Sequence, residues 1–175
     1  MLVPTETREL LAPFMAPDFP WGGVEITLAS LDNLPPDQPH TVFPLAVRRV
    51  TRRGRARGLQ VVGMTVGRHV FLDPRFGDLN TAAGLALAAH EFEHVAQNDT
   101  IPDFEARYNE EARHTPDSRP WENAYELAAY RREQEVYCDL VARGVPPGRW
   151  VPLSVQLWGC TPETTTLLQA RFARR

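Results

Sequence analysis

The stretch LALAAHEFEHVAQ, residues 85–97, sets two histidines four positions apart with a glutamate directly after the first. Leu85, Ala88, Ala89, Phe92 and Val95 recur at helical spacing as an apolar face, and the alanines permit close packing against neighbours. Positions i and i+4 of a helix lie one turn apart on one side, so His90 and His94 can hold a single ion between them. Zinc accepts imidazole nitrogen in a tetrahedral shell, commonly three protein ligands and a water where it is reactive. Glu91 is rotated by about 100° from His90, so it borders such a site without ligating and can take a proton from water that the ion has acidified. Glu93 falls on a different face and reads as a solvated carboxylate. The five residues form an H-E-x-x-H pattern whose residue types match that chemistry. The competing explanation is two histidines spaced by chance on an apolar helix.

Working outward, FGDLNT supplies capping residues for a helix over 81–98. Upstream, VEITLASL (24–31) alternates Val24, Ile26 and Leu28 inward as a strand, FPLAVRRV and RGLQVVGMTV form two strands around TRRGRAR, and RHVFLDP is a short strand stopped by Pro74. A short helix over 5–16, capped by Thr5, precedes them. Downstream, helices are expected over 102–113, 123–143 and 161–174, the last two separated by GVPPGRWVP. Strands first and helices later make an α+β fold. The expectation is one domain over 1–175, a small N-terminal mixed sheet with an active-site helix and following helices.

The 175 residues are 43% hydrophobic and 23% charged, ordinary values for a globular chain long enough to bury a core. A net charge of −3 gives no general attraction to nucleic acid or to an anionic membrane. Six arginines crowd residues 48–57, which reads as a solvated hairpin. No apolar run is long enough to span a membrane, and the N-terminus lacks the basic start and apolar run of a signal peptide, so a soluble, cytoplasmic protein is expected. Cys138 and Cys160 show no paired-thiolate spacing and are expected as buried thiols rather than a bridge. Trp121, Trp150 and Trp158 read as packing at the rim of the core.

Two histidines leave the shell one protein group short. No third histidine follows closely, since Asp99 and Asp103 occupy that region; the candidates are Glu122, Glu126, Glu133 and Glu135. Asn123 is a good N-cap for the long helix and puts Glu126 in its first turn, where it either completes the metal shell or merely closes a capping box with Asn123.

With AAHEFEHVAQ, FEARYNEE and NAYELAAYRRE, the chain resembles small single-domain zinc metallopeptidases of the gluzincin type, over roughly residues 60–137. That resemblance implies a zincin fold, Zn2+ bound by His90, His94 and Glu126, Glu91 as general base and acid, and a peptide or protein substrate. Larger gluzincins often carry an aspartate four residues after the glutamate ligand to orient the first histidine, where this chain has Tyr130. In zincins the strand before the active-site helix pairs with extended substrate, and GRHVFLDPRF occupies that place. Donors for the oxyanion are Tyr108, His114, Tyr125 and Tyr130; Tyr130, one turn from Glu126, is favoured. His40 and His69 carry no motif.

Overall fold

The computed structural model describes residues 1–31, 61–116 and 119–160. Its elements are α1 (Thr5–Leu11), β1 (Glu25–Leu28), β2 (Gly63–Val66), β3 (His69–Leu72), α2 (Ala82–Thr100), α3 (Phe104–His114), α4 (Ala124–Ala142) and α5 (Leu153–Trp158). Single 3₁₀ turns lie at Ala12–Phe14, Trp21–Gly23 and Pro120–Glu122. The strands form a mixed sheet in the order β1-β3-β2, with β1 parallel and β2 antiparallel to β3. Ile26 pairs with Val70, and Thr65 pairs with the same residue from the other side. The architecture is α+β.

Helix α2 begins where the side chain of Thr81 accepts a hydrogen bond from the Gly84 amide at 3.2 Å. Fourteen of its 19 residues are buried, so it is a central helix covered on two sides rather than a surface helix with one wet face. Val24, Ile26, Val70 and Leu72 from the sheet join Leu85, Ala89, Phe92 and Val95 of α2 and Val136 and Leu140 of α4 in one core. Each large side chain sealed there stabilises by roughly 1.5–3 kcal/mol. Gly84 allows the tight entry: a Cβ on it would stand 2.0 Å from the Asp78 carbonyl oxygen. On the other face of the sheet, Phe71, Met64 and Leu31 form a second, smaller cluster.

Several expectations need correction. The first helix ends at Leu11, because Pro13 cannot continue an α-helical ladder and the chain tightens into a 3₁₀ turn; Pro4, not Thr5, occupies the N-cap. The first strand covers only Glu25–Leu28, and Leu28 at its end is 46% exposed while Leu31 is buried. The strand before α2 is central rather than outer, since Val70, Phe71 and Leu72 are buried on both faces; among the described residues β2 is the outer strand on that side. The expected strand FPLAVRRV, the arginine-rich turn and the helix over 161–174 lie outside the described residues. Helix α5 was not anticipated.

Cys138 and Cys160 form a disulfide, against the expectation of free thiols. Packing α5 on α4 brings their Cα atoms within 5.3 Å, a separation that a bridge spans and that spacing in sequence does not disclose. Gln134 Nε2 donates to the Gly159 carbonyl at 2.5 Å alongside it. No helix among the described residues is long and apolar enough to cross a membrane.

Candidate metal centre

The buried stretch of α2 presents His90 and His94 toward α4 and Glu91 toward β2. Asn123 starts α4 by accepting the amides of Tyr125 at 2.9 Å and Glu126 at 3.3 Å. The cap and the metal readings of Glu126 are therefore compatible: its amide is held by Asn123 while its carboxylate reaches across to α2. Glu126 Oε2 lies 3.4 Å from His90 Nε2, and Oε1 lies 3.5 Å from His94 Nε2. The three potential ligand atoms all fall within 4.8 Å of one another, a group that can hold a metal ion.

The two imidazoles are held differently. His94 Nδ1 lies 2.9 Å from Gln97 Oε1, and Gln97 Nε2 donates to the Tyr125 carbonyl at 3.0 Å. Because the Gln97 amide spends its N–H on Tyr125, its oxygen faces His94 as acceptor. Nδ1 of His94 then carries the proton and Nε2 keeps its lone pair for an ion. His90 Nδ1 is buried with no hydrogen-bond partner among the described residues. Its ring packs edge-on against Tyr130, with centroids 4.8 Å apart. Tyr130 thus stands where the aspartate of larger gluzincins would be sought, and restrains His90 by packing.

Glu91 is buried and faces the sheet. The Thr65 hydroxyl lies 2.8 Å from its Oε2 and 2.9 Å from its main-chain oxygen. The strand comes so close that a Cβ on Gly63 would stand 2.4 Å from Glu91 Oε1. Burial pushes the Glu91 carboxyl above its ordinary range, against the opposing pull of His90, His94 and Thr65.

Charge within the cluster is mutually compensated. Burial alone would lower His90, but the hydrogen bond and charge of Glu126, with the charges of Glu91 and Glu133, raise it to about 9. His94 is raised in the same way by Glu126. Burial would raise Glu126, yet the two imidazoles hold it well below the usual carboxylate range.

Tyr108 on α3 donates its hydroxyl to Glu126 Oε1 in a short hydrogen bond. Burial and the Glu126 charge push this phenol upward, so it stays protonated as a donor. Tyr130 also lines the cleft, and burial raises its hydroxyl too. Tyr125 packs against Phe104 with ring centroids 5.3 Å apart. His114 lies on the surface beside Glu110, and His69 lies beside Thr27 on the sheet; His40 is outside the described residues.

Of the other glutamates weighed as ligands, Glu122 pairs with Arg119 and Glu135 with Arg132, both away from the cluster. Glu93, expected in solvent, is largely covered and paired with Arg132 at 3.3 Å. Glu133 is different: it is buried, it borders the cleft, and its Oε2 accepts the Ser154 hydroxyl at 2.6 Å. Its position seven residues after Glu126 puts both on one helix face, a spacing visible in the sequence, though the depth of the acid was not. Burial pushes its carboxyl upward. The cleft measures about 510 Å³ and is walled by β2, α2, α3 and α4, with Trp150 and Leu153 also in its lining. Trp150, expected at the rim, donates its indole N–H to the Phe76 carbonyl at 3.1 Å.

No curated protein and no solved structure matches the chain. Residues 46–102, about a third of the chain, match the family described as eCIS core domain, a family associated with zincin-like metallopeptidase-type cores; the match takes in β2, β3 and the whole of α2 with His90, Glu91 and His94, and ends before Glu126.

Proposed function

We propose that the chain is a zinc-dependent peptidase of the gluzincin type, with His90, His94 and Glu126 as ligands and Glu91 as general base. One observation carries the reading. His90, His94 and Glu126 each offer a ligand atom within 4.8 Å of one another, with one Glu126 oxygen 3.4 Å from His90 Nε2 and the other 3.5 Å from His94 Nε2, close enough to converge on one ion. The donor set of two nitrogens and one carboxylate also suits zinc and leaves a fourth position for water or substrate.

Zinc bound there supplies Lewis acidity toward a carbonyl oxygen and lowers the pKa of water. The chain's own groups supply the rest. Glu91 accepts a proton at its carboxylate, aimed by Thr65, and its raised pKa brings it nearer the neutral range where an acid and base role is most effective. Tyr108 is the better-placed donor for a developing oxyanion, because its hydroxyl already touches a ligand oxygen while Tyr130 covers the His90 ring. Strand β2 lines the cleft and offers backbone groups to an extended peptide. The sequence-based expectation assigned that part to β3. The Cys138–Cys160 bridge favours work in oxidising surroundings over the reducing cytoplasm.

A second reading, a metal-holding assembly module that cleaves nothing, draws on the family description, which names a core rather than an activity. The test combines metal analysis with cleavage. The peptidase reading expects about one zinc per chain, lost in His94→Ala, with Glu91→Gln keeping zinc while casein cleavage disappears. A zinc-loaded wild type that cleaves nothing across a broad peptide library supports the module instead. Absence of bound metal under zinc-replete conditions sinks both.

A further inference from the structure

Glu133 is 4% exposed and lies on the face of α4 that also carries Glu126 and Tyr130. The cleft it borders is also lined by the apolar side chains of Leu87, Trp150 and Leu153. Counting charges isolates this residue. A dication held by His90, His94 and Glu126 would balance the two carboxylates Glu91 and Glu126. Glu133 is then a third buried acid, and no lysine or arginine lines the cleft among the described residues. The cationic partner of Glu133 is His90, which Glu126 and Glu91 already oppose, and Ser154 supplies a hydrogen bond but no charge, so a further cation would be favourable there.

We infer that Glu133 forms the base of a specificity subsite for a basic side chain, arginine or lysine, of the peptide substrate. The inference rests on the peptidase reading and names the substrate class of that same cleft. The apolar walls suit the methylene stem of such a side chain, and the carboxylate receives its cationic head. Arginine suits it better than lysine, because its planar fork can donate two parallel hydrogen bonds to a carboxylate. A purely structural role, in which Glu133 only anchors α5 through Ser154, makes a different prediction. In that case Ser154→Ala and Glu133→Gln disturb the same function, whereas a subsite depends on the carboxylate alone.

The experiment profiles cleavage of a mixed peptide library by the zinc-loaded full chain. Basic residues are expected at one position beside the scissile bond, favoured over neutral residues of similar length by about 10- to 100-fold. Glu133→Gln should collapse that ratio, while Ser154→Ala should retain it, with circular dichroism confirming that both variants fold. Cleavage without a basic preference, or a preference indifferent to Glu133→Gln, overturns the inference while leaving the peptidase reading intact. Should no peptide be cleaved, calorimetry with agmatine and its neutral analogue butylurea decides. Saturable agmatine binding that is lost in Glu133→Gln and absent for butylurea upholds the subsite. Equal binding by wild type and variant, or none by either, overturns it.

Discussion

The hydroxyl of Thr65 on β2 stands between the carboxylate and the carbonyl of Glu91 on α2, 2.8 Å from one and 2.9 Å from the other. Strand β2 therefore fixes the direction of a residue that belongs to the helix. Thr65→Val removes the donor while preserving shape. It should lower kcat by about 10- to 100-fold with zinc content unchanged, and Thr65→Ser should recover most of the loss. Gly63→Ala should act on the same carboxylate by contact, since the new methyl would meet Glu91 Oε1 at 2.4 Å. Unchanged turnover in both variants would remove β2 from the catalytic account.

Gln97 connects the second histidine to the start of α4, receiving from His94 Nδ1 and donating to the Tyr125 carbonyl. Gln97→Leu leaves both partners unsatisfied and frees the imidazole to rotate. Zinc affinity, read by chelator competition, should fall about 10- to 100-fold. An affinity equal to wild type would mean that packing alone orients His94.

In the metal-free protein the histidines and Glu126 set opposite limits on stability. The His90 pKa rises from 6.5 to about 9 on folding, so its contribution is complete below pH 6.5 and is lost as pH climbs through about 9. Glu126 falls well below 4.5, so its contribution is present above that value and is lost in more acid solution. Urea midpoints of the metal-free chain should be highest between these ordinary values and decline toward pH 9. Zinc, which displaces the imidazole protons, should flatten the alkaline side and release protons on binding at neutral pH. A metal-free profile that is level from pH 6.5 to 9.5 would contradict the ion pairing.

The bridge between Cys138 and Cys160 closes a segment with a sequence separation of 22. Loop-closure entropy for that length amounts to about 3 kcal/mol, most of it through restriction of the unfolded chain. Cys160→Ser, or a dithiol reductant, should lower stability by that order. The loss should be greatest around α5, where hydrogen exchange at residues 153–158 is the direct readout. Unaltered exchange there would mean that α5 is held by packing on α4 alone.

What could be read from the sequence follows the range of each interaction. Helix α2 was legible because its causes are local: Thr81 caps it, the apolar residues repeat at helical spacing, and two histidines share one turn. The start of α4 was legible for the same reason, through Asn123, and that cap left Glu126 favoured among four glutamates. The contacts that complete the site are long-range and left little local trace. The hydrogen bond from Ser154 to Glu133 spans 21 residues, the Thr65 contact to Glu91 spans 26, and the Gln97 contact to Tyr125 spans 28. The disulfide also depends on helix packing, which the isolated cysteines do not encode. The strand before α2 was expected at the sheet edge and lies between its two neighbours, because short apolar strands do not reveal which will be covered on both faces.

Glu126, Tyr130 and Glu133 occupy successive turns along one side of α4, so candidate ligand, ring support and buried acid are set by a single helical phase. One residue inserted between Glu126 and Tyr130 would turn everything beyond it by about 100°, separating the ligand from its companions in one step. Substitutions confined to that face, by contrast, keep the phase. The spacing of these three residues along the helix is therefore as much a part of the candidate metal centre as their identities.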